Sequence, residues 1–134
     1  MPDGVERGLL DTSVVLDLET IPVHTLPGEL AICAVTLAEL AAAPAATTDP
    51  AERARRQDRL QRAEAAFEPI PFELEAARAY GQIYAAVVAR GRTPRRRLAD
   101  LFIASVAVAE GLPVITRNPD DFAGLDDLVQ VVTV

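Results

Sequence analysis

The stretch "GLLDTSVVLDL", residues 8–18, joins a short apolar run to a helix-like pattern, and Asp11 lies at the junction. The apolar run predicts a first β-strand that ends at Leu10, and a helix is expected over about residues 13–19. A carboxylate at the tip of a first strand is either a helix cap or one member of a reactive centre. The stretch alone leaves both interpretations open.

The rest of the chain continues this alternation of strands and helices. A second apolar run, "ELAICAV" (29–35), precedes "TLAELAAAP" (36–44), which predicts a helix stopped by Pro44. Residues 50–67 predict a polar helix with Leu60, Ala63 and Phe67 on one stripe, and "EPIPF" (68–72) predicts a connector or a minor edge strand. Apolar strands that alternate with helices indicate an α/β fold, in which helices cover both faces of a parallel sheet.

Two further helices and two strands complete the predicted order. One helix is expected from about Glu73 to Arg90, ended by Gly91, and the other from Thr93 as cap, with Pro94 in its first turn, to Gly111. The strands are "LPVIT" (112–116) and "LVQVVTV" (128–134). The apolar stripe predicted for the first of these helices consists of Leu74, Ala77, Tyr80, Tyr84 and Val88.

Composition predicts one globular domain over residues 1–134, because half of the 134 residues are apolar and a quarter are charged. The single cysteine, Cys33, is expected to be a small buried hydrophobe in a protein of the reducing cytoplasm. The first twenty residues carry too many charges for a signal peptide, and no uncharged apolar stretch reaches bilayer length. We therefore expect a cytoplasmic protein without a membrane span.

Charge argues against a protein that coats nucleic acid, since the net charge of -7 repels phosphates at long range. The thirteen basic residues are all arginines, and most of them form two clusters. We interpret the cluster within residues 53–62 as a solvated helix face. The cluster within residues 90–97 is a candidate contact for a substrate or a partner, because guanidinium groups suit phosphates and carboxylates.

Carboxylates follow the strands, and in open parallel sheets reactive groups gather at the carboxyl ends of strands. Asp11 follows the first strand and Glu39 comes soon after the second. Asp100 lies on the helix that feeds into "LPVIT", and a polar loop follows that strand. The candidate residues of this loop are Asn118, Asp120 and Asp121.

Each carboxylate also has a structural interpretation. Asp11 fits a helix cap, and Glu39 three residues after Thr36 fits a capping box. Asp120 and Asp121 are typical turn residues. Asp100 lies well inside its helix if Thr93 is the cap, and an ion pair with Arg96 or Arg97 would satisfy it.

Convergent carboxylates would repel one another unless a cation neutralised them, and oxygen ligands select Mg²⁺ or Mn²⁺ over zinc. His24 is the only histidine, so a histidine-rich metal site is excluded. No "GxSxG" elbow and no glycine-rich phosphate loop is present.

The ordered set "LLDTSVVLDL", "VTLAEL" and "RRLADLFIASVAVAEGLPVITRNPDDF" resembles the PIN domain and, within it, the VapC-type toxins of bacterial toxin–antitoxin pairs. The resemblance covers essentially the whole chain. It implies a three-layer α/β/α sandwich with a mostly parallel central sheet, and a ribonuclease that depends on Mg²⁺ or Mn²⁺. It also implies an RNA substrate, a cognate antitoxin protein and a homodimer.

The resemblance implies roles for individual residues. Asp11, Glu39 and Asp100 would be the acidic residues of the metal site. Many relatives place a fourth acid where this chain has Asn118, so Asn118 and Asp121 are both candidates for the fourth ligand, and Asp121 counts among the catalytic acids. The remaining implied roles are the orientation of Asp11 by Thr12 or Ser13, support of the last loop by Thr116, and RNA contact by Arg95, Arg96 and Arg97.

Two other classes of function compete with a metal-dependent ribonuclease. A haloacid-dehalogenase phosphotransferase also carries an aspartate after its first strand, but it needs a second aspartate two residues later, where this chain has Ser13. A PIN scaffold that has lost one ligand and acts as a protein-binding module is the other alternative. Asn118 is the feature of the sequence in its favour.

Overall fold

The computed structural model describes residues 6–134. Within them, four parallel strands form one sheet in the order β2-β1-β3-β4. The strands are β1 (Arg7–Leu10), β2 (Glu29–Ala31), β3 (Val114–Thr116) and β4 (Val131–Thr133). The helices are α1 (Thr12–Leu16), α2 (Ala34–Ala42), α3 (Pro50–Ala66), α4 (Leu74–Ala89) and α5 (Leu98–Glu110). The predicted α/β fold is confirmed.

Two hydrophobic cores lie on opposite faces of the sheet, because successive residues of a strand point to opposite sides. Leu9 and Val114 belong to the core that contains the buried residues of α4 and α5. Leu10 and Ile115 belong to the core that contains those of α1 and α3. The molecule is therefore a three-layer α/β/α sandwich, as expected.

β1 and β3 lie side by side in the middle of the sheet, and β1 packs closely there. A Cβ atom at Gly8 would lie 2.6 Å from Cγ1 of Ile115 and 2.9 Å from Cγ of Pro27. The Asp11 amide continues the pairing beyond β1 and donates to the Ile115 carbonyl at 3.0 Å. The carboxyl ends of the two central strands are thereby fixed beside each other.

The second strand is shorter than predicted, since β2 ends at Ala31 and α2 begins at Ala34. Cys33 instead pairs with Ile70 of the "EPIPF" segment in an isolated parallel bridge, and the Ala34 amide donates to the Ile70 carbonyl at 2.8 Å. This segment is thus a connector with one edge contact. Cys33 is fully buried, as predicted.

The apolar stripe predicted for α4 is wrong, because a different face of the helix is buried. The buried side chains are Ala76, Ala79, Ile83 and Val87, whereas Leu74, Tyr84 and Val88 are 63%, 48% and 49% exposed. Small alanines allow α4 to approach α5 closely, and the larger side chains chosen from the sequence lie on the outer face. Tyr80 alone of the predicted large residues packs inward, with its ring centroid 4.9 Å from that of Phe102.

The last helix begins later than predicted, because Pro94–Arg97 forms a 3-10 turn and α5 starts at Leu98. Asp100 therefore lies in the first turn of α5 and not well inside a helix. Gly111 ends α5 with a φ of 66°, as predicted. No helix in residues 6–134 is long and apolar enough to cross a membrane.

Candidate functional site

Asp11 is only 1% exposed and accepts hydrogen bonds from three donors. Its Oδ1 accepts from the Ser13 hydroxyl at 2.6 Å and from the Val14 amide at 3.2 Å, so the carboxylate caps α1. Its Oδ2 accepts from the Thr116 hydroxyl at 2.6 Å. The predicted cap is confirmed, and the carboxylate is held in one orientation between the ends of β1 and β3.

The two hydroxyls that hold Asp11 also hold the start of the loop after β3. The Thr116 hydroxyl oxygen accepts from the Asn118 amide at 2.9 Å, and the Ser13 hydroxyl oxygen accepts from the Arg117 amide at 3.3 Å. The buried carboxylate and the loop are therefore positioned by the same side chains.

Glu39 lies on α2, and its side chain is exposed towards α1. Its Oε1 accepts from the Thr12 hydroxyl at 2.5 Å, and that hydroxyl lies 3.2 Å from the hydroxyl oxygen of Thr36. The capping-box interpretation is wrong, because α2 begins after Cys33 and Thr36 lies inside the helix, fully buried. Thr12 thus contacts Glu39 and not Asp11.

Asp100 is half-buried, and its pKa is raised to about 7. Burial is the largest cause, and repulsion by Asp121, Asp11 and Glu39 adds to it, whereas Arg97 acts in the opposite direction. The predicted ion pair of Asp100 with Arg96 or Arg97 does not form within residues 6–134, because Arg97 binds Asp121 instead. The four predicted acids therefore influence one another electrostatically.

Asp120 and Asp121 lie in the 3-10 turn Pro119–Phe122, so their interpretation as turn residues is confirmed. The Asp121 carboxylate accepts from the Arg97 guanidinium. Asn118 precedes the turn and is exposed. Within the part of the chain that the structure describes, the Asn118 side chain makes no hydrogen bond.

Among residues 6–134, no group of three His, Cys, Asp or Glu side chains is arranged to hold one metal ion. The acids instead bind the hydroxyls of Thr12, Ser13 and Thr116 and the guanidinium of Arg97. The donor set nevertheless suits Mg²⁺ or Mn²⁺, since it consists of oxygen atoms and carries the excess negative charge that raises the pKa of Asp100. Ligation by three carboxylates requires some of these side chains to rotate.

The two arginine clusters differ in their contacts. In the first, the ion pairs of Arg55 with Glu52 and of Arg62 with Asp58 agree with a solvated helix face, whereas Arg56 is partly buried and donates to the Ala43 carbonyl at 2.9 Å. In the second, Arg95 and Arg96 are exposed, and their side chains have no polar partner in the described residues.

The sequence does not predict the contact between Arg97 and Asp121 or the buried position of Thr36. The two ends of the ion pair are 24 residues apart, and no pattern in the sequence indicates that they meet. The sequence predicts Thr36 as a helix cap because the apolar run before it is typical of a strand as far as Val35.

Comparison with known proteins identifies the family of the chain. A model of the PIN domain matches residues 9–128. Ribonuclease VapC5 of Mycobacterium tuberculosis is 40% identical over 129 residues, which cover 92% of this chain and 91% of the relative. Ribonuclease VapC4 of the same organism is 32% identical over 98% of this chain and 99% of its own length.

A solved structure has the same fold. The crystal structure of VapBC-5 of Mycobacterium tuberculosis, a member of the VapBC family of toxin–antitoxin systems, contains a chain that matches with a TM-score of 0.79 and 36% identity. The match covers 96% of this chain and 98% of the other. The chain therefore belongs to the PIN domain family and groups there with the VapC proteins.

Proposed function

We propose that this chain is the toxin of a toxin–antitoxin pair, an endoribonuclease that hydrolyses phosphodiester bonds of RNA with Mg²⁺ or Mn²⁺. The observation that carries the proposal is the position of Asp11, buried and held by Thr116 and Ser13 where Asp100 and Glu39 add their negative charge. The ribonuclease relatives and the solved VapBC structure support the same activity and a cognate antitoxin as partner.

Asp11, Glu39 and Asp100 would hold the divalent ion. Of the two further donors predicted from the sequence, Asn118 has a side-chain amide oxygen without a partner in the described residues, whereas Asp121 already binds Arg97. When bound, a divalent ion polarises the phosphodiester and lowers the pKa of a coordinated water.

The surrounding residues of the chain position these acids and admit RNA. Thr116 and Ser13 fix the Asp11 carboxylate, and Thr12 restrains Glu39. Arg95 and Arg96 are exposed and would contact RNA phosphates. With six aromatic residues in the chain, a broad base-stacking surface is absent, so recognition would depend on RNA shape and the phosphate backbone.

The wider biological assignment follows from the same proposal. The antitoxin would cover the acidic edge with basic side chains, and the toxin would form a homodimer in the cytoplasm.

A catalytically weak PIN scaffold that acts as a protein-binding module is the second candidate. Two observations favour it: residue 118, a candidate fourth ligand, is an asparagine and not an acid, and no three acids within residues 6–134 are arranged around one point. The two candidates differ in whether the protein binds a divalent ion.

The deciding experiment is cleavage of a structured RNA pool by antitoxin-free protein with Mg²⁺, with Mn²⁺ and with chelator. We expect metal-dependent cleavage that falls by about 100-fold or more in Asp11→Asn and in Asp100→Asn. Asp126→Asn is the matched control, because the Asp126 side chain is exposed and forms no hydrogen bond or ion pair in the described residues.

Calorimetry with Mn²⁺ separates the two candidates. If the wild-type protein neither cuts RNA nor binds Mn²⁺, the binding-module function replaces the nuclease. Equal cleavage by the wild type and both variants would mean that the carboxylates are structural.

A further inference from the structure

Three arginines from the connection between α4 and α5 contact the turn that follows β3. The Arg97 guanidinium binds the Asp121 carboxylate, and Nη1 of Arg92 donates to the Asp120 carbonyl at 3.1 Å. The Arg90 side chain lies against Gly124, where a Cβ atom would be 2.0 Å from Cδ of Arg90. We call these three arginines and residues 120–124 the arginine clasp.

The ion pair of the clasp lies beside the candidate metal site. Arg97 immediately precedes α5, and Asp100 lies three residues later in the first turn of that helix. The side chains of Arg97 and Asp121 are 36% and 30% exposed, so solvent screens the pair only in part. Arg97 thus forms an ion pair with Asp121, whereas Asp100, Asp11 and Glu39 form no ion pair among the described residues.

The same turn is also held by a contact in the hydrophobic core that does not involve the ion pair. Phe122 is 1% exposed and packs in the hydrophobic core with Leu101 of α5. Since neighbouring side chains of the turn point in different directions, Phe122 leaves Asp121 at the rim, where Arg97 is its partner. Gly124, with a φ of 86°, leaves space for the Arg90 side chain.

We propose that Asp121 is a positioning residue that fastens the turn after β3 to the start of α5, and that it is not a ligand of the metal. The proposal rests on the metal-dependent nuclease proposed above and assigns a role to one of its acids, Asp121. The ligand set is then Asp11, Glu39 and Asp100, and the Asp121 carboxylate is held by Arg97 outside that set.

The first measurement is amide hydrogen exchange of residues 118–124 in the metal-free, RNA-free protein. If the ion pair fastens the turn, Asp121→Asn and Arg97→Gln each accelerate exchange by about tenfold, and the double variant exchanges no faster than the faster single variant. Asp120→Asn and Arg95→Gln are matched controls, because they make the same changes of charge at exposed side chains outside the ion pair. Unchanged exchange in both single variants would overturn the proposal.

The second measurement is Mn²⁺ affinity by calorimetry on the same proteins. We expect Asp121→Asn to remain within about threefold of the wild type, whereas Asp100→Asn loses at least about tenfold. A loss in Asp121→Asn as large as that in Asp100→Asn would make Asp121 a ligand and overturn the proposal. Failure of Asp100→Asn to lose affinity would instead contradict the metal site itself, so the two failures are distinguishable.

Discussion

At Asp100, burial and three neighbouring carboxyls act in the same direction on one ionisation. The folded protein holds the Asp100 proton up to a pKa of about 7, whereas the ordinary value is 3.8. Between these pH values the folded state binds more protons than the unfolded chain does. Stability is therefore lost as the pH rises through this window in the absence of metal.

We expect Asp100→Asn to remove this loss. In chelator, the variant and the wild type unfold with similar free energies near pH 4, and the variant becomes more stable by about 1 to 2 kcal/mol at pH 8, after allowance for the solvent that reaches the carboxyl. Urea denaturation at both pH values measures the difference. A gap that does not widen with pH would contradict the assigned environment of Asp100.

Thr116 is the second residue whose substitution tests the site. Thr116→Val removes the hydroxyl that donates to Asp11 and leaves Oδ2 of that buried carboxylate without its donor. We expect a loss of about 1 to 3 kcal/mol in the free energy of unfolding, and RNA cleavage reduced by about 10- to 100-fold. Thr133→Val, an exposed position of β4, is the control and should change stability by less than about 0.5 kcal/mol.

Among the elements, β1 is packed so closely at Gly8 that a side chain does not fit there. Gly8→Ala would place a Cβ atom 2.6 Å from Ile115 and 2.9 Å from Pro27, in the middle of the sheet. We expect a loss of about 1 to 3 kcal/mol, measured by chemical denaturation. Gly28→Ala is the matched control, because the nearest atom to its Cβ would be 3.9 Å away.

The sequence predicted the elements better than it predicted their ends and faces. The strand before Asp11 and the helix after it follow from the apolar run and the cap, which are local features. The start of α2 depends on the contact of Ala34 with Ile70, and the buried face of α4 depends on its approach to α5. Both are tertiary interactions, which periodicity and residue size do not report.

The same distinction applies to the site. The order of elements predicts Asp11, Glu39 and Asp100 as candidate site residues, because each follows a strand or lies near the sheet edge. The partner of Asp121 was not found, since Arg97 is recruited from a different connection and its choice between Asp100 and Asp121 depends on side-chain geometry. The sequence therefore indicates which acids lie near the sheet edge. It does not indicate which side chains bind each of them.

For the whole molecule, the outer face of α4 is the apolar surface that a homodimer would use. Leu74, Tyr84 and Val88 are exposed along it, and Gly81 between them would let two helices approach. We expect the predicted homodimer to form through this surface.

We expect Tyr84→Glu to convert the antitoxin-free dimer into a monomer, because the new carboxylate would be buried against its own symmetry mate. Light scattering coupled to size exclusion measures the mass. Ala65→Glu, at an exposed position of α3, is the control and should leave the mass unchanged. A wild-type protein that is already monomeric would contradict the dimer.

The place of β1 between β2 and β3 also determines when the site around Asp11 is completed during synthesis of the chain. The ribosome adds about 5 to 20 residues per second, so β1 and β2 wait several seconds for β3 to be made. Until then Asp11 lacks Thr116, and Asp100 lacks the strand that α5 leads into. A chain that ends before β3 therefore lacks the hydroxyl that holds the Asp11 carboxylate, and we expect it to have no nuclease activity.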